Sequence, residues 1–294
     1  MLINQLYRHL LFLCLLLVAL PLLSTANKLP GTVVYDTTDR PDPLHPDYAK
    51  DSLKKWEKQF TDFAFFTYEK SGHVLPYRFH KPSNIEAGKK YPLVLFLHGA
   101  GERGGDNRLQ FLRFTTAPFW EKYACYVLAP QCPARPPGGP DGESVWVQTG
   151  FGAPSHTMKA TPSWPLGLSM ELLDKIIADN NIDPSRIYIT GLSMGGYGTW
   201  EILQREQQKF AAAMPVCGGA DSSFASKLNH VPLWVFHGSD DTTVPPGRSR
   251  DMVNKIIQYG GKPIYTEFPG VGHGAWAVTY NDQKVWDWLF AQHR

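Results

Sequence analysis

The chain has 294 residues, with 29 Lys and Arg against 27 Asp and Glu, a formal charge of +2. That balance, without any dense Lys/Arg stripe, excludes the electrostatic footprint of a nucleic-acid-binding protein. The length suits one domain built around a single large hydrophobic core.

Arg8 precedes an apolar run from Leu10 to Leu23, and Ser24-Thr25-Ala26 follows with small residues at cleavage spacing. This pattern predicts a secretory signal peptide over residues 1–26 and a secreted or periplasmic product. An uncleaved anchor is the alternative, but the run is short against the ~20 apolar residues of a membrane span. No later segment looks transmembrane, so no membrane partner is expected after cleavage. Residues 27–60 read as an irregular N-terminal extension with a short helix within Asp51 to Phe60, and residues 61–294 as the one folded domain.

Within that domain, Phe63 to Tyr68 and Val74 to His80 predict two strands joined at Ser71-Gly72. Pro76 lacks a ladder donor and points to an edge position for the second strand. Tyr91 to Leu97 is almost continuously apolar, as a strand buried on both faces would be. Further strands are expected at Cys125 to Ala129, Arg186 to Thr190, Ala211 to Val216, Leu233 to Phe236 and Ile264 to Phe268. Helical spacing appears at Leu168 to Ala178, Arg248 to Tyr259 and Gln283 to Gln292, and Asp183-Pro184 reads as a turn. Strands alternating with helices predict a central, mostly parallel sheet flanked by helices on both faces. The Gly- and Pro-rich stretch from Pro133 to Pro165 is long for a connection, and is expected to form part of a pocket wall.

Export permits disulfides. Cys125, Cys132 and Cys217 follow the leader, so at most one bridge forms within the chain. Cys132 and Cys217, each just past a strand-like run, are the favoured pair, with buried free thiols as the alternative.

Chemistry concentrates at Gly191-Leu192-Ser193-Met194-Gly195, a G-x-S-x-G sequence between an apolar strand and a helix starting near Gly196. That context defines a nucleophile elbow, a tight turn that exposes the serine hydroxyl. A serine needs a base, and the base an orienting acid. His273, between Gly272 and Gly274, follows the last strand. Asp240 and Asp241 follow the strand ending at Phe236. Asp241 is preferred as the acid, while Asp240 is suited to holding the turn. The order Ser193, Asp241, His273 is that of an α/β-hydrolase. The charge developing on the attacked carbonyl calls for fixed donors. The Met194 N–H is the first, and the second comes from the loop after Leu97, with Ala100 favoured and Gly101 next. His98 and His237 read as structural histidines. No histidine pair has metal-ligand spacing, and no dinucleotide or Walker A pattern occurs, so neither metal nor cofactor is expected.

Pro92 to Gly104, Ala129-Pro130-Gln131-Cys132-Pro133, the serine elbow, His237 to Pro245 and Gly272-His273-Gly274 together resemble the α/β-hydrolase superfamily. The resemblance runs from about Phe63 to the C-terminus. It is similar more narrowly to secreted feruloyl and acetylxylan esterases, and to polyhydroxybutyrate-depolymerase-like and prolyl-oligopeptidase-like branches. It implies a serine carboxylic ester hydrolase acting on small or polysaccharide-linked esters, with Asp241 as the acid of the His-Gly-x-x-Asp-x-x-Val-Pro pattern. Trp146, Phe151, Trp164 and Trp276 are candidates for stacking on a sugar ring or cinnamoyl group, or equally for packing. A small-ester carboxylesterase, a serine peptidase and an inactive carbohydrate-binding module are the competing readings. Sequence assigns no oligomeric state.

Overall fold

The computed structural model describes residues 33–35, 63–111, 119–134 and 145–294. The expected signal peptide, the short helix within 51–60 and residues 135–144 of the long connection lie outside them. Nine strands of the described residues form one sheet: β1 (Val33–Tyr35), β2 (Ala64–Lys70), β3 (His73–His80), β4 (Tyr91–Leu97), β5 (Tyr126–Pro130), β6 (Ile182–Leu192), β7 (Ala212–Val216), β8 (Trp234–Gly238) and β9 (Ile264–Phe268). Their spatial order is β1-β9-β8-β7-β6-β4-β5-β3-β2. Every neighbouring pair from β1 to β5 is parallel, and β3 runs antiparallel to both of its neighbours, β5 and β2. This is the doubly covered α/β-hydrolase sheet that alternating strands and helices predict.

β4 shows why the sheet is buried on both sides. Leu93, Leu95 and Leu97 face one core and Val94 and Phe96 the other, all without solvent exposure. Each such side chain contributes about 1.5–3 kcal/mol of burial. The leucine side packs against α2 (Trp164–Asp179), α3 (Met194–Glu206) and α4 (Gly247–Gln258) through Leu172, Trp200 and Met252. The opposite side packs against α1 (Phe119–Lys122), α5 (Ala275–Asn281) and α6 (Gln283–Phe290) through Phe119, Tyr280 and Trp286. Phe119 and Trp286 stack at 3.9 Å between ring centroids.

Several expectations are corrected. Ser71 and Gly72 both take positive φ (53° and 79°), making the tight hairpin turn, but the edge strand is β2 and not the Pro76 strand. Pro76 accepts from the Gln131 N–H on its β5 side, so its missing donor faces the point where β5 ends and costs no ladder bond. Asp183-Pro184 lies within β6 rather than before it. The register slips there, from Tyr91↔Ile182 to Leu93↔Ile187, and Asp183 Oδ1 accepts from the Ser185 N–H and hydroxyl, so the turn survives as a bulge. The favoured Cys132–Cys217 bridge is not formed; all three described cysteines are free and buried. β5 and β7, which precede the two thiols, are separated by β4 and β6. Three strand spacings of ~4.8 Å put the pair far beyond bridging range.

Candidate active site

The parallel strands β4 and β6–β9 end on one edge, so the loops that follow them converge there. Ser193 caps α3 directly after β6, with φ 54° and ψ −117°, a left-handed conformation that a serine adopts only under constraint. Its N–H donates to Val216 O at 2.9 Å, and its carbonyl accepts the Tyr197 N–H at 3.0 Å. The turn can pass this close to β4 only because residue 195 is glycine: a Cβ there would sit 1.9 Å from Leu97 O.

The acid and histidine loops are zipped together. Ser239 N–H donates to Phe268 O and Asp240 N–H to Val271 O, both at 3.0 Å. Gly238 makes the approach possible, since a Cβ would lie 2.2 Å from Val271 O. The result joins the predicted residues: His273 Nε2 lies 2.8 Å from Ser193 Oγ, and His273 Nδ1 lies 2.7 Å from Asp241 Oδ2. Asp240 points elsewhere, exposed and accepting from the Ser239 hydroxyl. Asp241 Oδ1 accepts the N–H groups of Thr243 and Val244, each at 2.9 Å. Burial opposes the Asp241 charge, but hydrogen bonds from His237, His273 and Val244 outweigh it and hold the carboxyl well below the usual carboxylate range. Nδ1 faces a carboxylate and therefore carries the ring proton, which leaves Nε2 free to accept from the serine.

Cys217 sits behind this line at φ 45°, its thiol donating to His273 O at 3.5 Å. Its sulfur and one atom each of Asp241 and His273 lie within 4.8 Å of one another. Burial, with the nearby Asp241 charge, pushes the thiol well up, so it stays protonated and neutral.

Gly99 leads from β4 into a single helical turn, Ala100–Glu102. The glycine's α-carbon packs beside Ser193, with 3.6 Å from a Cβ built there to the Ser193 Cβ. The loop carrying Ala100 and Gly101 thus lies against the elbow, and Met194 is the first residue of α3. His98 is fully buried beneath it. Its Nε2 accepts the Cys132 N–H at 2.9 Å, so Nδ1 carries the proton and donates to Gly99 O at 2.7 Å.

The four aromatic candidates separate. Trp276 meets the His273 ring edge-on at 5.2 Å. Phe151 is half-buried against Tyr197, whose hydroxyl donates to Phe151 O at 2.8 Å. Trp146 is wholly buried, and its indole N–H donates to His98 O at 3.0 Å, so it props the loop from below and offers no face to a substrate. Trp164 stacks on His73 of β3, three strands from β6, and is not brought to Ser193.

The described part of the long connection, 145–163, lies along α3 as a strap. Arg248 donates to Pro154 O and His156 Nδ1, Asp221 accepts from Met158 N–H, and Arg205 donates to the carbonyls of Lys159 and Ala160. The crest of the strap at Gly152 reaches Thr243 in the acid loop.

Burial lowers His98 to about 4, and burial with the Arg248 charge does the same for His156. Both lie below the ordinary histidine value of ~6.5, so the unfolded chain takes up protons below that pH while the folded chain does not. Their stabilising contribution is full above pH ~6.5 and is lost as pH falls toward 4, up to ~3 kcal/mol for His98. The melting temperature should therefore decline across this window, before Asp241 titrates; a constant value from pH 7 to 4 would contradict the burial of these two histidines as neutral rings.

A solved thermostable esterase superposes with a TM-score of 0.71, at 39% identity over 81% of this chain and 64% of its own. The poly(3-hydroxyalkanoate) depolymerase C of Paucimonas lemoignei is 27% identical over 121 residues, 31% of this chain and 29% of the relative. A bifunctional acetylxylan esterase/xylanase of Neocallimastix patriciarum is 36% identical over 72 residues, 24% of this chain and 11% of the relative. The chain spans less than two thirds of each of these proteins. The family described as Phospholipase/Carboxylesterase matches residues 83–285, well over half the chain. Family and fold together support a carboxylic ester hydrolase, and the chain belongs to the phospholipase/carboxylesterase family of α/β-hydrolases.

Proposed function

We propose that the protein is a secreted or periplasmic serine esterase that removes feruloyl or acetyl groups from plant polysaccharide. The observation that carries the chemistry is the continuous hydrogen-bonded line from Ser193 Oγ through His273 to Asp241 on a strained elbow. Ser193 Oγ attacks the ester carbonyl as His273 Nε2 takes its proton. The N–H groups of Met194 and Ala100, with Gly101 adjacent, receive the oxyanion. His273 then gives the proton to the leaving alcohol, and the acyl group remains on Ser193. Water, deprotonated by the same nitrogen, attacks the acyl-enzyme; its collapse returns the proton to Ser193 and frees the acid. Asp241 keeps its charge throughout and stabilises the imidazolium.

The substrate class draws its support from the sequence resemblance and from the acetylxylan esterase/xylanase relative. Phe151, half-buried, and Trp276, buried but edge-on to the His273 ring, are the aromatic candidates that remain for an acyl or sugar group, while Trp146 and Trp164 pack against His98 and His73. The test is initial rates of residues 27–294 on methyl ferulate, acetylated xylan and 4-nitrophenyl acetate. Ser193-dependent release from either plant-derived ester is the expected result, and the ratio assigns feruloyl or acetyl preference. Turnover of 4-nitrophenyl acetate alone would reject the polysaccharide assignment and leave a small-ester hydrolase.

A further inference from the structure

His237 is the penultimate residue of β8, entirely shielded from solvent, and the sequence gives it no role beyond packing. Its surroundings are more specific than packing requires. Nε2 faces Val244 O at 2.9 Å and Asp241 Oδ2 at 3.3 Å. Both oxygens only accept, so Nε2 carries a proton, which it donates to Val244 O, and the carboxylate oxygen of Asp241 sits beside that N–H as a longer polar contact. On the other side of the ring, Nδ1 lies 2.8 Å from the Ser249 hydroxyl, which is itself 3.1 Å from Gly218 O. Ser249 is also fully buried, so the ring is held from both ends.

Oδ2 is the oxygen that meets His273 Nδ1. It therefore lies between two imidazole rings, hydrogen-bonded to His273 Nδ1 and 3.3 Å from His237 Nε2, while Oδ1 is held by the backbone of Thr243 and Val244. A carboxylate held on both oxygens cannot rotate away from His273. We infer that His237 is a positioning residue for the ester-cleaving reaction: pinned by Ser249, it holds Asp241 Oδ2 from behind and so fixes the tautomer and orientation of His273.

The inference rests on the esterase reading, and a double-mutant cycle separates the two. With 4-nitrophenyl acetate, His237→Leu should lower kcat by ~10- to 100-fold with little change in KM. His237→Gln, which returns an N–H near the Nε2 position, should recover most of the loss. In an Asp241→Asn background His237→Leu should cost little more, because the group it positions has already gone. A purely structural histidine would instead give losses that multiply. If His237→Leu does not melt cooperatively, His237→Asn, whose amide falls short of Asp241, replaces it in the cycle. Multiplying losses, or an unchanged kcat in the variant lacking the donor, overturn the inference while leaving a Ser193-dependent esterase intact. Absence of Ser193-dependent turnover in the unsubstituted protein overturns both.

Discussion

Replacing Ser193 by alanine is expected to lower kcat by roughly 10^4- to 10^6-fold. The expected loss is this large because, in the proposed mechanism, serine, histidine and aspartate act as one unit, and without the hydroxyl the other two have nothing to activate. Initial rates on 4-nitrophenyl acetate measure it directly. The fold should survive. Ser193 is 6% exposed, and the contacts that set its turn are backbone bonds to Val216 and Tyr197, which alanine retains. The φ of 54° is no better suited to alanine than to serine, so the strain also remains. A melting temperature close to that of the parent is therefore part of the expectation, and it distinguishes lost chemistry from lost structure.

Gly195→Ala should have the largest effect on stability of any single methyl addition near the site. A Cβ at 195 would lie 1.9 Å from Leu97 O, 2.4 Å from Leu97 C and 2.7 Å from His98 O. These are backbone atoms of β4 and its exit, so no side chain can rotate out of the way. Either α3 lifts from the sheet or β4 moves, and both carry the elbow away from the Ala100 loop. Overpacking a core usually costs about 1–3 kcal/mol, and a clash with two fixed backbone segments should reach the upper end or exceed it. Thermal melts of Gly195→Ala beside Gly101→Ala check this, because a Cβ at 101 meets nothing within 4 Å. Equal melting temperatures for the two variants would contradict the packing described for the elbow.

Much of this arrangement was legible in the sequence, for physical reasons that differ by element. β4 could be bounded to the residue because its burial on both faces leaves an almost continuously apolar run between Lys90 and His98, and β9 is bracketed by Pro263 and Pro269. The elbow was legible because its tight turn admits only small residues at fixed spacing around Ser193. Asp241 was separable from Asp240 by its place before Val244-Pro245, and the structure brings Asp241 alone to His273. What escaped depended on partners distant in sequence. α5 begins inside the glycine-flanked histidine loop without a side-chain cap, and its seven residues are too few to show a clear period. β1 has three residues and exists only through pairing with β9. Trp146 could not be told from a sugar-stacking residue until its indole was seen on His98 O, 48 positions away. His237 looked like packing because its meaning lies in Ser249 and the carboxylate of Asp241, which helix α4 and the loop after β8 bring around it.

Covalent labelling tests the central claim most directly. Diisopropyl fluorophosphate transfers its phosphoryl group to an activated serine oxygen as fluoride leaves. Intact-mass analysis after brief treatment, followed by peptide mapping, should show one phosphoryl group per chain, placed on Ser193, with no addition to the Ser193→Ala variant. An unlabelled parent protein, or a label on any residue other than Ser193, would contradict the account.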